Sequence, residues 1–170
     1  MRSVMPESLA EHAMITALLA QALAVIRRDV FGKPANPDRA ASAALLHDAS
    51  EIITGDMPTP VKYRNAALRD AYKVVERESL GRLVSFLPES MRGSYADLMA
   101  GDDVAELVHA ADKLAAHIKC VEELTAGNRE FKLAERQTLE KLKSMKLPEV
   151  DYFIEHFLPS FGLTLDEQEG

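Results

Sequence analysis

Residues 8–28 read SLAEHAMITALLAQALAVIRR. Ser8 followed three positions later by Glu11 is a capping-box pattern, so a helix opens here and is expected to run to about Arg28. Leu9, Ile15, Leu19, Leu23 and Ile26 recur at helical period and make one apolar stripe for a core. His12 falls on that same stripe. A histidine there is either a core residue bonded to a backbone carbonyl or a ligand aimed at something that other helices also reach. The rest of the chain has to separate the two.

Residues 45–60, LLHDASEIITGDMPTP, raise the same question more sharply. Asn36-Pro37 is a start signal with Pro at the first helical position, and the helix it opens is expected to end near Ile53. Gly55 suits the left-handed residue past that end. Leu45 and Ile52 would anchor this helix in the core. His47, Asp48 and Glu51 stand at i, i+1 and i+4, which would set His47 over Glu51 with Asp48 beside them. Two acids and an imidazole so close shift one another's protonation unless a cation sits among them; the bland alternative is a wet helix edge. From Gly55 to Tyr63, Pro58 and Pro60 predict a stiff loop.

Helical period continues downstream. A third helix is expected from Asn65 to Phe86, with Leu68, Tyr72, Val75 and Leu83 on one side, and a shorter one from Pro88 to Met99. Asp103 and Glu106 repeat the capping pattern before a helix carrying Leu107, Val108, Ala111, Ala115, Ile118 and Val121 to a stop at Gly127. Residues 128–145 read as a charged amphipathic helix whose lysines and arginines solvate one face. Residues 148–158 close the fold with Phe153, Ile154 and Phe157. Strand signals are nearly absent, so the expected class is all-α, a compact bundle of about six to seven helices. Asp112 is the third oddity, a carboxylate on the buried side of an apolar helix. Lys113 or Lys119 could pair with it; so could a metal ion.

Composition bounds what such a bundle does. The 170 residues suit one domain spanning 1–170, and 47% hydrophobic residues supply a sizeable core. A net charge of −7 argues against a partner as polyanionic as a nucleic-acid polymer. One cysteine, Cys120, makes no internal disulfide, which fits a reducing cytoplasm. The apolar run from Ala13 to Ile26 is expected to be too short for a bilayer, and no signal peptide opens the chain, so no membrane partner is expected.

Taken together, His12, His47, Asp48 and Asp112 offer two imidazoles and two carboxylates from three helices. Such a mixed donor set suits a divalent ion (Co2+, Mn2+, Fe2+, Mg2+ or Zn2+) with positions left open for water. An ion of that kind acidifies bound water and polarises a phosphoryl oxygen, and Glu51 would then be placed to move a proton. His109, three residues before Asp112, reads as a helix-surface residue, and His117 and His156 lack an acidic cluster in register.

The order His…His-Asp…Asp on helices resembles the HD-domain superfamily of metal-dependent phosphohydrolases. The stretches HDASE (47–51), TGDMPTPVKY (54–63), HAADKL (109–114), KCVEELTAGNREF (119–131) and DYFIEHFLPSFGLTLDE (151–167) resemble more narrowly its bacterial HD-domain 5′-deoxynucleotidases. That resemblance implies a helical homodimer that removes the 5′-phosphate from deoxyribonucleoside monophosphates. It implies His12, His47, Asp48 and Asp112 as metal ligands, and Glu51 as the residue acting on water or leaving group. Asp48, Asp112 and the loop Asp56, Met57, Pro58 and Thr59 would contact the nucleotide. The family's Arg-Trp pair before the first ligand helix has no counterpart here, because the sequence opens at Met1-Arg2-Ser3-Val4, downstream of its place. Arg2, Lys62 and Lys119 are the candidate replacements for the phosphate-orienting Arg. Two other readings stay open: an HD-type hydrolase of another nucleotide or phosphate ester, and a non-catalytic nucleotide-binding helical dimer. Tyr152, Phe153 and Phe157 are candidate dimer contacts.

Overall fold

The computed structural model describes residues 2–57, 65–163 and 165–168. The fold is all-α, with seven helices of nine residues or more among the described residues. Helix α1 (Leu9–Val25) opens on the expected capping box: the Glu11 amide donates to the Ser8 hydroxyl at 3.2 Å, and the Ser8 amide donates to the Glu11 carboxylate at 2.7 Å. It then continues through one π-helical turn, Ile26–Val30.

Helix α2 (Pro37–Leu46) starts at Asn36 as the sequence indicates, but it does not reach Ile53. Between Leu46 and the single-turn α3 (Glu51–Thr54) the backbone tightens to three-residue hydrogen bonds, Ala49 N to Leu46 O at 3.1 Å and Glu51 N to Asp48 O at 2.9 Å. Each residue in such a turn advances about 120° rather than 100°. Glu51 therefore stands over Asp48 and not over His47, and the residues after the break are turned outward. Ile52 is 68% exposed, so it anchors nothing in the core. Leu45 is exposed as well, because α2 buries its Ala40, Ala43 and Ala44 face. Gly55 closes α3 at φ +68°, ψ 166°, a region open essentially to glycine alone.

Helices α4 (Ala66–Ser85) and α5 (Glu89–Ala100) follow, then α6 (Ala105–Thr125), α7 (Lys132–Ser144), α8 (Pro148–His156) and the short α9 (Leu165–Gln168). Along α4 Tyr72 and Ser79 are buried, whereas Val75, expected to face the core, is exposed. Its main contacts are with α3 and α5, so there is little core for it to meet. Asp103 does not cap α6; Val104 precedes it without a side-chain cap, and Asp103 pairs with Arg39 instead.

The core forms where α1 lies against α2 and α6, with α7 and α8 closing it. Ala20, Ala24, Ala40, Ala44, Ala110 and Ala111 are fully buried at these crossings. Side chains that short let helix axes approach closely, and Leu23, Leu114 and Leu142 fill what remains. Gly101, at φ +56°, ends α5 where a Cβ would sit 3.3 Å from the Ala43 Cβ. With its π turn, the first helical segment runs Leu9–Val30, 22 residues long, and an 18-residue stretch within it has a mean hydropathy of 1.7, so the expectation that it is too short for a bilayer is corrected. Leu19, Ala20, Leu23 and Ala24 are instead buried against protein, where they form the centre of the core.

Two buried carboxylates tie the periphery to this centre. Glu149 on α8 is fully buried and accepts from Arg27 Nε, within the π turn, at 2.6 Å. Glu123 on α6 accepts the amides of Val4 and Met5, both at 2.9 Å, and the Asn128 amide at 2.7 Å. It thereby straps residues 3–5 to α6 and sets the entry to α1.

Candidate metal centre

His12 rides on the first turns of α1, His47 and Asp48 on the tightened turn after α2, and Asp112 on the middle of α6. Because α1 packs on both other elements, the four side chains come together. His12 Nε2 lies 3.4 Å from Asp112 Oδ1 and 3.7 Å from Asp48 Oδ2, and His47 Nε2 lies 2.9 Å from that same Asp48 oxygen. One donor atom each from His12, His47 and Asp48 falls within 4.8 Å of the others. Asp112 joins this group on the His12 side.

The donor set passes a chemical test for a cation. His47 Nδ1–H donates to the Ala44 carbonyl at 2.7 Å, which leaves the lone pair on Nε2. That Nε2 is buried without a hydrogen bond, since the Asp48 oxygen 2.9 Å away is itself an acceptor. A buried acceptor left this way is costly unless something takes its lone pair. Protonation follows the same demand. The hydrogen bond to Asp112 raises the His12 pKa against the opposing effect of burial. Burial pushes the His47 imidazole down, yet Asp48 and the Ala44 carbonyl more than reverse it. Burial likewise pushes the Asp112 carboxyl up, while His12 and Lys113 outweigh it and hold the group well below the usual carboxylate range. The protein has built a place that favours positive charge.

A cavity of about 560 Å³ opens beside this group. His12, Asp48 and Asp112 reach it from the metal-ligand candidates, and Glu51, Asp56 and Met57 from the turn and the residues after it. His47 is not part of the wall. Asp48 and Glu51 share that wall because the tightened turn stacks i over i+3.

Comparison with known proteins agrees with this geometry. Residues 1–161 match the family described as 5′-deoxynucleotidase YfbR-like. The chain belongs to that family. A 5′-deoxynucleotidase of Vibrio parahaemolyticus is 43% identical over 98% of this chain and 88% of its own length. The 5′-deoxynucleotidase YfbR of Shigella boydii is 44% identical over 98% of this chain and 86% of its own. A crystal structure of an HD-domain phosphohydrolase from Listeria innocua superposes with a TM-score of 0.82 at 26% identity, covering 99% of this chain and 83% of that one. The HD-type fold expected from sequence is therefore the observed one.

Within this YfbR-like chain, Asp56 and Met57 face the cavity, while Pro58, Thr59 and Lys62, and most of the loop from Gly55 to Tyr63, lie outside the described residues. Neither Arg2 nor Lys119 is among the residues that line the cavity. Lys119 binds the Met5 carbonyl and stands 3.6 Å from Glu123, and the Arg2 backbone is held by Glu130 and Asn128. Of the two lysines that could pair with Asp112, it is Lys113 that does so, at 3.0 Å. Sequence reasoning missed that Lys113 lines the cavity, as does His109. Their spacing along α6 was the available signal, since 109, 112, 113 and 116 fall on one helical face. His117 is buried against the Thr138 hydroxyl at 2.9 Å, and His156 packs on Tyr152, so neither joins the site.

Proposed function

We propose that His12, His47, Asp48 and Asp112 hold one divalent cation, and that the adjoining cavity hydrolyses the 5′-phosphate of deoxyribonucleoside monophosphates to deoxynucleoside and phosphate. Membership of the 5′-deoxynucleotidase family supplies the reaction. The observation that carries the residue assignment is the convergence of two imidazoles and two carboxylates from separate elements, with the His47 Nε2 left buried and unbonded.

A bound divalent ion supplies Lewis-acid charge and lowers the pKa of water beside it. The protein's own part is positioning and proton transfer. Glu51 faces the cavity one tightened turn from Asp48, within the same wall that a reacting phosphate would meet, and takes the proton from the attacking water or returns one to the departing 5′-oxygen. Asp56 and Met57 flank it, and together with Pro58 and Thr59 they contact the nucleotide, as do Asp48 and Asp112. Residues 1–170 act as one domain, for the core draws on side chains from Ala17 to Phe153.

The active species in this reading is a homodimer working in the cytoplasm, where a single buried thiol at Cys120 is stable. Leu18, 60% exposed, and Phe157, 46% exposed, share an apolar groove and offer a surface for the second copy. Of the three aromatic side chains expected at such a contact, Phe153 is buried and Phe157 is the exposed one.

Metal analysis of the purified chain, paired with phosphate release from dAMP, AMP and dATP, tests the assignment. One equivalent of a divalent ion and a preference for dAMP are expected; turnover that persists after complete chelation overturns it. Sedimentation should give twice the 18.8 kDa chain mass, and a monomer at working concentration rejects the dimer.

A further inference from the structure

We propose that Lys113 is the substrate-binding residue that takes a non-bridging phosphoryl oxygen. This rests on the phosphomonoesterase reading of the cavity. The wall is otherwise acidic: Glu7, Asp48, Glu51, Asp56 and Asp112 all face it. A phosphomonoester dianion entering such a space meets repulsion of several carboxylates, and one divalent ion beside the His-Asp group offsets only part of it. Among the described lining residues, Lys113 carries the one permanent positive charge.

Its placement suits the task. Asp112 turns Oδ1 toward His12 Nε2 at 3.4 Å and Oδ2 toward the Lys113 ammonium at 3.0 Å, so the lysine stands one carboxylate's width from the imidazole group. Asp112 in the metal reading spends its charge on the cation, and the ammonium is then free to donate to another oxygen. The side chain is 34% exposed, with Ala116 beneath it on the same face, so the stem has room to swing into the cavity. A lysine meets phosphate as a mobile point charge with three donors, and such a contact needs reach more than a rigid fork.

The test uses metal-loaded full-length protein, with Lys113→Ala and Lys113→Arg beside the parent. Affinity for inorganic phosphate is measured by calorimetry, KM and kcat with dAMP, inhibition by deoxyadenosine, and bound metal by elemental analysis. Loss of one charge-assisted hydrogen bond predicts that Lys113→Ala weakens phosphate binding about ten- to a hundredfold. KM for dAMP should rise, deoxyadenosine inhibition and metal content should stay at parental values, and Lys113→Arg should recover most of the loss. Phosphate affinity unchanged in Lys113→Ala overturns the proposal. So does a loss that tracks bound metal, which would leave Lys113 a mere partner of Asp112. A parent that binds phosphate through Lys113 yet releases none from dAMP supports the contact and sinks the phosphomonoesterase reading; a parent that releases phosphate from dAMP but binds none in calorimetry overturns the contact and leaves that reading standing.

Discussion

Changing Glu51 to Gln removes a proton acceptor while keeping size and shape. The residue opens α3, faces the cavity one turn past Asp48 and is only partly buried, so its replacement should leave the fold within about 0.5 kcal/mol of the parent. It is not one of the four proposed ligands, His12, His47, Asp48 and Asp112, so bound metal should be retained. Positioned general acid–base groups contribute roughly 10²–10⁴ in rate. At about 1.36 kcal/mol per decade, that range corresponds to roughly 2.7–5.5 kcal/mol of activation free energy. The assay is kcat for phosphate release from dAMP at saturation, with metal content and melting temperature measured on the same preparations. A fall of two to four decades in kcat with full metal and an unchanged melting point is the expected result. A kcat within about twofold of the parent refutes the proton-transfer role. Loss of metal along with activity refutes it differently, by making Glu51 a ligand, contrary to its place one stacked turn beyond Asp48.

His12 and His47 both titrate above the ordinary imidazole value, so without metal their contribution to stability is fully present below about pH 6.5 and is lost as pH rises through the raised values. Chelated protein should therefore lose melting temperature as pH rises above about 6.5, and metal-loaded protein should gain over it there, because the ion needs both rings neutral. A chelated form that stabilises across that window contradicts the assignment. Glu149→Ala removes one of two carboxylates on Arg27, whose guanidinium keeps Glu106 at 2.7 Å, so a loss of about 1.5–3 kcal/mol in urea unfolding is expected; a change under about 0.5 kcal/mol would show the buried pair to be dispensable.

Local chemistry was legible along the chain. Ser8 and Glu11 form the capping box, Asn36 caps the next helix, and Gly127 adopts φ +86° at the end of α6. These signals read directly because each is satisfied within one turn of backbone. His12, His47, Asp48 and Asp112 also stood out, being polar groups on apolar stripes, where burial without a partner is costly. Extrapolation failed where phase had to be carried across a break. Three-residue hydrogen bonds after Leu46 moved Glu51 over Asp48 and turned Ile52 to solvent, although the composition there favours an unbroken helix.

Sequence alone determined the helical class, the ends of most helices and the donor types available to a cation, since periodicity, caps and side-chain chemistry are properties of neighbouring residues. Tertiary structure decided which of those donors meet, which lysine faces the cavity and which apolar side chains stay outside. Those outcomes depend on how closely the alanine faces of α1, α2 and α6 approach and on the twist added by one tightened turn, and packing between distant segments sets both.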